Sequence, residues 1–304
     1  MRKKFLKKLE KLVDKSKVIP IDDTSKIIFF SDCHRGYGDH ADDFAHNQLI
    51  FLAALTHYYD KGYTYIELGD GDELWENKDF NRIKENYRTI FELFDKFHQK
   101  NRLYYIWGNH NRRWKNQKKV KKDFSNIIDD KTRKKKPIFK NLITYESLIL
   151  QYKNSKNKIL AIHGHQGDCL NDELWFFGRF IVRNIWKFLQ SIFGWNDPTS
   201  PAKNFHSLRK TDKRFKYWLK KKKIPIIIGQ THKPVFPNKG EPSYFNDGSC
   251  VHPRCITGIE ISLGKIQLVK WYVHVDFKKE QKRYLYVNKK TLAGPRKIED
   301  IFIT

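Results

Sequence analysis

Five apolar runs in this chain each end abruptly in residue types that bind metals, and this repeated pattern constrains the fold most. The runs are rich in β-branched and aromatic residues, which is typical of buried strands. Their endings are SDCH at 31–34, GDGDE at 69–73, GNHN at 108–111, HGH at 163–165 and GQTH at 229–232. Loops gain no stability from clustered carboxylates and imidazoles, so the repetition indicates one shared functional site.

The spacing of these runs predicts an α/β fold. Helical patterns at 42–59 and 80–98 alternate with the apolar runs, which indicates βαβ units and a mostly parallel sheet. Ligands bind at the carboxyl ends of such strands. Further strand patterns at 243–275 predict a second sheet packed on the first.

Length and composition favour a single domain over residues 1–304. The hydrophobic fraction of 39% and the aromatic fraction of 15% exclude a disordered chain. An aromatic and basic stretch predicts an inserted helical cap at 165–223, and its charges at Arg179, Arg183 and Lys187 argue against a membrane span. The densely basic segment 112–140 is predicted to be an exposed excursion.

The chain carries a formal net charge of +26, which has two readings. It attracts phosphate-rich partners such as nucleotides, nucleic acid or anionic lipid surfaces. Alternatively, it reflects a compositional bias toward lysine that leaves a solvated basic surface. The four cysteines form no CxxC pair and fit reduced thiols, so we expect a cytoplasmic protein.

The spacing of apolar residues within 2–16 predicts a basic amphipathic helix. This segment has neither the apolar core nor the cleavage site of a signal peptide. Such a helix either packs on its own domain or lies on a membrane surface. The aromatic stretch leaves the same alternative of membrane contact open, because it carries Trp175, Trp186 and Trp195 beside basic residues. Peripheral contact with the inner face of the membrane therefore accompanies the cytoplasmic prediction as an alternative.

Asp32 and His34 are predicted to alternate along a strand end, so that both point to one side with the spacing of a metal chelate. Asp70 follows Gly69, whose missing Cβ allows a close approach to an ion. The remaining candidate ligands are the amide oxygen of Asn109 and the imidazoles of His163 and His232. This mixed donor set suits Mn, Fe or Zn, and Asp70 is the expected bridge between two metals.

Two metals roughly 3.5–4 Å apart would clamp a phosphoryl group and lower the pKa of a bound water to generate hydroxide. His110, next to a ligand but facing differently, is the candidate general acid. Arg35 either holds a phosphate oxygen or pairs with Asp39 or Asp42. Asp72 and Glu73 are candidates for supporting the ligands or capping a helix.

The order of these motifs resembles that of the calcineurin-like metallophosphoesterases over about residues 26–275. The resemblance implies a four-layer αββα sandwich with a dinuclear site. It assigns the first metal to Asp32, His34, Asp70 and His232, and the second to Asp70, Asn109 and His163. It also matches His110 to the family's catalytic histidine.

Two positions depart from the family's pattern. Gly-Gln-Thr-His stands where the family has Gly-His-x-His, so one imidazole for the second metal is missing. Three alternatives follow for the second metal. Gln230 ligates it through its amide oxygen, His165 supplies the missing imidazole, or this metal binds weakly. Asn111 stands where the family has an acid that orients the catalytic histidine.

The aromatic insertion and the NDGS stretch at 246–249 are similar to the branch that includes bacterial UDP-diacylglucosamine pyrophosphohydrolase. That likeness implies a substrate with an apolar part, such as a lipid-linked pyrophosphate, on fold-level analogy alone. The leading hypothesis is hydrolysis of a phosphomonoester or phosphodiester. The alternatives are a nucleic-acid-processing or nucleic-acid-binding protein that uses 112–140, and a peripheral membrane phosphoesterase.

Overall fold

Two large mixed β-sheets form the centre of the molecule. The structure is a computed structural model that describes residues 2–129, 131–153, 155–167, 205–277 and 283–302. In chain order the strands are β1 (Lys17–Ile21), β2 (Ile27–Phe30), β3 (Thr64–Leu68), β4 (Leu103–Ile106), β5 (Asn126–Ile128), β6 (Lys135–Pro137), β7 (Thr144–Tyr145), β8 (Ser147–Tyr152), β9 (Lys158–Ile162), β10 (Ile226–Ile228), β11 (Tyr244–Asn246), β12 (Cys255–Ser262), β13 (Lys265–Phe277) and β14 (Arg283–Lys297).

The larger sheet has the strand order β14-β13-β12-β2-β3-β4-β7. Its β2, β3, β4 and β7 are parallel, whereas β12, β13 and β14 add an antiparallel edge. The second sheet has the order β1-β8-β9-β10-β11, with β9, β10 and β11 parallel. Two mixed sheets are therefore confirmed, but the predicted assignment of strands to them is wrong. Strands β12 and β13, from the region expected to form the second sheet, extend the sheet of β2, β3 and β4, whereas β9 and β10 lie in the other sheet.

Helices cover the outer face of each sheet. They are α1 (Arg2–Lys15), α2 (Gln48–Asp60), α3 (Phe80–Asn86), α4 (Arg88–Gln99), α5 (Gln117–Asp123) and α6 (Phe205–Lys222). Three buried apolar clusters separate the layers, and strand β2 shows how. Phe30 faces the helices of one cluster, while its neighbour Phe29 packs in the cluster between the sheets. A strand buried on both faces needs a continuous apolar run, and the IIFF sequence of β2 supplies it.

The amphipathic helix α1 packs on the second sheet. Its Phe5, Leu9 and Leu12 are buried in a third cluster, together with Phe215 and Trp218 of α6. This cluster completes the four layers, in the order helix, sheet, sheet, helix. Because the domain itself covers the apolar face of α1, this helix follows the first of the two alternatives stated for it.

The structure revises the expectations for two insertions. Of the predicted cap at 165–223, residues 168–204 lie outside the described residues, and α6 is a layer of the sandwich, so the cap remains a prediction. Segment 112–140 is not a wholly exposed excursion, because Trp114, Val120 and Phe124 are buried in the core under its exposed lysines. Within the described ranges, no helix is long and apolar enough to cross a membrane.

The cluster between the sheets predicts a stability experiment. Ile227 on β10 is fully buried there, so Ile227→Ala removes packing from both sheets and leaves a cavity. We expect the free energy of unfolding to fall by about 2–4 kcal/mol. The measurement is urea denaturation, with Leu49→Ala as the control at a side chain that is 75% exposed. A similar small loss in both variants would contradict this description of the core.

Candidate metal centre

The candidate site lies where strands of both sheets end. Backbone hydrogen bonds join the loops that follow β2 and β3: Asp32 N donates to Gly69 O at 3.0 Å, and His34 N donates to Asp70 O at 2.9 Å. A similar bond of 2.9 Å runs from Gly229 N, after β10, to the carbonyl oxygen of His163 after β9. The main chain thus fixes the positions of the ligand-bearing loops.

Several candidate ligands have left-handed backbone conformations. The φ angles are +51° at Asp32, +50° at His34, +48° at Asp70, +66° at Gln230 and +55° at His232. Strand β2 ends at Phe30, so the expectation that Asp32 and His34 alternate along a strand end is wrong. Turns at unfavourable φ aim these side chains, and such strain persists where the surrounding structure holds it in place.

The side chains converge into three overlapping groups with ligand atoms within 4.8 Å of one another. Two of the groups share Asp32, whose Oδ1 lies 3.1 Å from His232 Nε2 and 3.9 Å from His163 Nε2. Asp70 Oδ2 lies 3.0 Å from His163 Nε2. The groups are Asp32–His34–His232, Asp32–Asp70–His163 and His34–Glu73–His110.

Hydrogen bonds on the far side of two imidazoles select the tautomer that a metal requires. His34 Nδ1 donates to Glu73 Oε2 at 2.8 Å, and His163 Nδ1 donates to Leu68 O at 3.0 Å. In both residues Nε2 is left facing the carboxylates of Asp32 and Asp70. Fixing the outer nitrogen in this way is the usual support for a metal-bound histidine.

Buried atoms without hydrogen-bond partners test whether a cation fits. Buried polar atoms in proteins almost always have a partner. Here the atoms that face the centre have none of acceptable geometry in the described part of the chain: Asp32 Oδ1, His34 Nε2, Asn109 Oδ1, His163 Nε2 and Gln230 Oε1. One carboxylate, two imidazoles and two amide oxygens match the donor preferences of Mn, Fe or Zn, so the residues present fit a divalent cation.

Two glycines make room for these side chains. Gly69 has a φ of +101°, and a Cβ there would lie 2.5 Å from the His163 ring. A Cβ on Gly108 would overlap the Asp70 carboxylate. The Gly-Asp and Gly-Asn pairs of the sequence are therefore needed for close packing as well as for turn geometry.

The carboxylates of the centre are held ionised. Burial alone would raise the pKa of Asp32, but the His232 and His163 imidazoles lower it well below its usual range. Burial opposes ionisation of Asp70, but His163 and His110 favour it, and the pKa of Asp70 is lowered to about 2. In the opposite direction, Asp70 and Asp32 overcome burial and raise the pKa of His163 to about 9. The imidazoles thus hold both carboxylates ionised, which is the form that binds a cation.

His110 is held by Glu73, which the sequence offered only as a supporting or capping residue, and by Trp75, which no sequence pattern indicated. Its Nδ1 lies 2.5 Å from Glu73 Oε2, and its ring stacks on Trp75 at a centroid distance of 4.1 Å. Asn111 does not orient His110, because its Oδ1 accepts from Gly108 N at 2.6 Å and its Nδ2 has no partner in the described chain. The only signal for Glu73 in the sequence was its place three residues after Asp70.

Arg35 does not face the centre. Its fully buried guanidinium donates to Asp72 Oδ1 at 2.8 Å and to Glu67 Oε2 at 3.0 Å, and lies 5.1 Å from the ring centre of Phe94. The prediction that it holds a phosphate oxygen is therefore wrong, since no substrate reaches a side chain in the helix-facing core. The alternative pairing with Asp39 or Asp42 is also wrong.

Gln230 and His165 both remain candidates for completing the second metal site. Gln230 N donates to Asp32 Oδ2 at 2.8 Å, and its Oε1 has no hydrogen-bond partner in the described chain. Both His165 ring nitrogens likewise lack partners there, and the ring centre lies 5.7 Å from that of His163. His165 belongs to none of the three ligand groups found among the described residues.

Asp247 is a buried residue of the centre that sequence analysis did not identify. The Ser31 hydroxyl lies 2.7 Å from Asp247 Oδ1 and 2.5 Å from Asp32 Oδ2. Burial and the Asp32 charge raise the pKa of Asp247 well above its usual range. Ser31 therefore links the Asp247 and Asp32 carboxyl groups, which lie close enough for the charge of one to oppose ionisation of the other.

Comparisons with known proteins add no family assignment. No protein-family model matches the chain, and no curated protein matches it. Solved structures with some likeness include a predicted phosphoesterase from Streptococcus pneumoniae, at 15% identity, coverage of 88% of this chain and 97% of the other, and a TM-score of 0.34. Vps29 from Chaetomium thermophilum gives 9% identity, coverage of 89% and 99%, and a TM-score of 0.35.

A putative 5'-nucleotidase from Staphylococcus aureus, whose structure contains α-ketoglutarate, gives 12% identity and a TM-score of 0.36. The likeness covers 90% of this chain and 55% of the nucleotidase chain. Scores this low carry no weight for the fold or the activity. Both therefore rest on the sheets and side chains described above.

The fit to a cation predicts stabilisation by metal. Added Mn²⁺ or Zn²⁺ should raise the melting temperature of the wild-type protein, because an ion at 100 times its Kd adds about 2.7 kcal/mol to the folded state. Asp32→Asn should lose most of this shift. Asp43→Asn, at an exposed carboxylate, serves as the matched control and should retain it. Equal shifts in the two variants, measured by calorimetry, would place the ion elsewhere.

The buried Arg35 cluster predicts a pH effect. Burial, opposed by Arg35, raises the pKa of Glu67 from 4.5 to about 7. The folded state then binds more protons than the unfolded state between these values, so this contribution to stability is lost as pH rises from 4.5 to 7. Glu67→Gln removes this loss. The unfolding free energy of the variant minus that of the wild type should therefore rise by about 1–3 kcal/mol as pH increases over that interval. A difference independent of pH in urea denaturation would contradict the assignment.

Proposed function

We propose that this chain is a metal-dependent phosphoesterase that hydrolyses a phosphomonoester or phosphodiester. One observation carries the proposal: the ionised carboxylate of Asp32, Nε2-facing imidazoles and amide oxygens converge beside Asp70 with their inward atoms unpaired among the described residues. Folding alone gives no reason to bury such a set, because each unpaired polar atom destabilises the native state. A divalent cation satisfies all of these atoms together.

The proposed ligand sets share one carboxylate. Asp32, His34, Asp70 and His232 would hold one ion; Asp70, Asn109 and His163 would hold a second, completed by Gln230 or His165. The ions, when bound, would supply Lewis-acid stabilisation of a phosphoryl group and an activated water. Mn, Fe and Zn are the candidates, because the donor set has no thiolate.

The protein's own contribution would centre on His110. Glu73 Oε2 lies 2.5 Å from its Nδ1, which leaves Nε2 as the nitrogen that would carry the transferred proton. Trp75 stacks on the ring and donates from Nε1 to Asn109 O at 2.8 Å, which fixes the imidazole plane relative to a ligand. His110 would then protonate the leaving oxygen of the ester.

Substrate range and cellular location belong to the same proposal. Residues 168–204 of the predicted cap follow His163 in the chain, and we propose that they receive the apolar part of a lipid-linked phosphoester. We place the protein in the cytoplasm, with peripheral contact with the inner face of the membrane as the alternative, on the strength of its cysteine and charge composition.

Hydrolysis of model esters tests the proposal. The purified protein with added Mn²⁺ should cleave p-nitrophenyl phosphate or bis-p-nitrophenyl phosphate, and the preferred ester distinguishes a monoesterase from a diesterase. Asp70→Asn should abolish turnover. His110→Gln should lower kcat by about 10²–10⁴-fold while metal binding persists, because it removes only the proton donor.

His46→Gln is the matched control, because His46 is exposed and lies outside the ligand groups found in the described chain. It should retain wild-type kcat. If neither ester is cleaved with Mn²⁺, Fe²⁺ or Zn²⁺, or if Asp70→Asn turns over as fast as wild type, the proposed activity is wrong.

A further inference from the structure

The two outer helical layers of this protein differ sharply in charge. Helices α1 and α6 together have 32 residues, with 15 Lys and Arg against 3 Asp and Glu. Helices α2, α3 and α4, packed on the other sheet, also have 32 residues, with 4 basic and 4 acidic side chains. Helix α5, whose Val120 is buried on the side of α2, α3 and α4, adds four lysines and one aspartate there, but α1 and α6 still carry the larger basic excess.

Helices α1 and α6 form one continuous surface. They contact each other through Phe5 and Phe215, whose ring centres lie 5.4 Å apart, and through an ion pair of Glu10 with Lys222. Their buried side chains point to the second sheet. The opposite side of the pair, which we call the lysine face, carries exposed lysines on both helices: Lys3, Lys7, Lys11, Lys213, Lys216 and Lys220.

The spacing of these six lysines is not explained by stability. On each helix they recur every three or four residues, which places neighbouring charges about 5–6 Å apart along the axis. Like charges at this spacing destabilise a helix. None of the six forms a salt bridge within the described part of the chain, and the lysines outnumber the acidic side chains that lie three or four residues away, which are Glu10, Asp14 and Asp212.

We propose that the lysine face binds the phosphate backbone of double-stranded nucleic acid without sequence preference. Closely spaced cations gain affinity for such a backbone by releasing its condensed counterions. Over residues 3–15 and 211–222, no large apolar side chain is exposed, so nothing in those two stretches inserts into a bilayer. No aromatic side chain is exposed in them either, so they lack the stacking platform that single strands require.

This surface differs from the candidate metal centre in both place and chemistry. The lysine face covers the outside of the second sheet, whereas the centre lies at the loops that follow the strands. Binding there is therefore expected to survive Asp70→Asn, whether or not the proposed phosphoesterase activity exists.

Fluorescence anisotropy with a labelled 20-base-pair duplex, in DNA and RNA forms, tests the proposal on the full-length protein. Replacing Lys7, Lys11, Lys213 and Lys216 with Gln should weaken binding about 10²–10³-fold at 0.15 M salt and reduce the slope of log K against log salt by about 3–4. Circular dichroism should show unchanged helicity, because Gln is a good helix former.

The matched control removes four charges elsewhere. Lys118, Lys119, Lys121 and Lys122 on α5 are also exposed, and their replacement with Gln should weaken binding less than 10-fold. Equal losses in the two quadruple variants would overturn the proposal, since net charge alone would then explain the binding. Absence of duplex binding at 50 mM salt would also overturn it, as would binding to phosphatidylglycerol vesicles in its place.

Discussion

The buried carboxylate of Asp32 is the interaction on which the rest of this structure depends. Its Oδ2 accepts hydrogen bonds from Ser31 Oγ and Gln230 N, while its Oδ1 faces three imidazoles without a hydrogen bond of its own among the described residues. A buried carboxylate stays ionised only beside positive charge or donors. The loops after β2 and β10 meet at this carboxylate, so the two sheets are joined through it.

The sandwich positions these loops, and the loops in turn strain their backbone. Strands buried on both faces hold the ends of β2 and β3 in register, and backbone hydrogen bonds continue that register to Asp32 and His34. Positive φ angles at the ligand positions then turn the side chains inward. Such strain is tolerated because the rigid sheets on both sides hold the loops in this conformation. Backbone strain is common at functional sites for this reason.

The sequence was sufficient to predict that there are two sheets, where strands end and which ligand types group together, because apolar runs and their endings are local signals. It did not predict that β9 and β10 lie in a different sheet from β2, β3 and β4, because strand pairing is not local. It was insufficient for Arg35, because a basic residue beside a ligand looks the same whether its neighbours are solvent or Phe94. The sequence also left the role of Glu73 open, because the contact of Glu73 with His110 depends on how two loops meet. The left-handed turn at Asp32 has no sequence signal, since Asp is common in many turn conformations.

The most direct test of the central claim is anomalous X-ray diffraction from crystals grown with Mn²⁺ or Zn²⁺. We expect one anomalous peak within bonding distance of Asp32, His34 and His232. A second peak should lie within bonding distance of Asp70, which also ligates the first metal. Zn–N distances of about 2.0–2.1 Å would identify the imidazole ligands directly. Peaks at surface histidines only, or no peak between Asp32 and Asp70 at saturating metal, would contradict it.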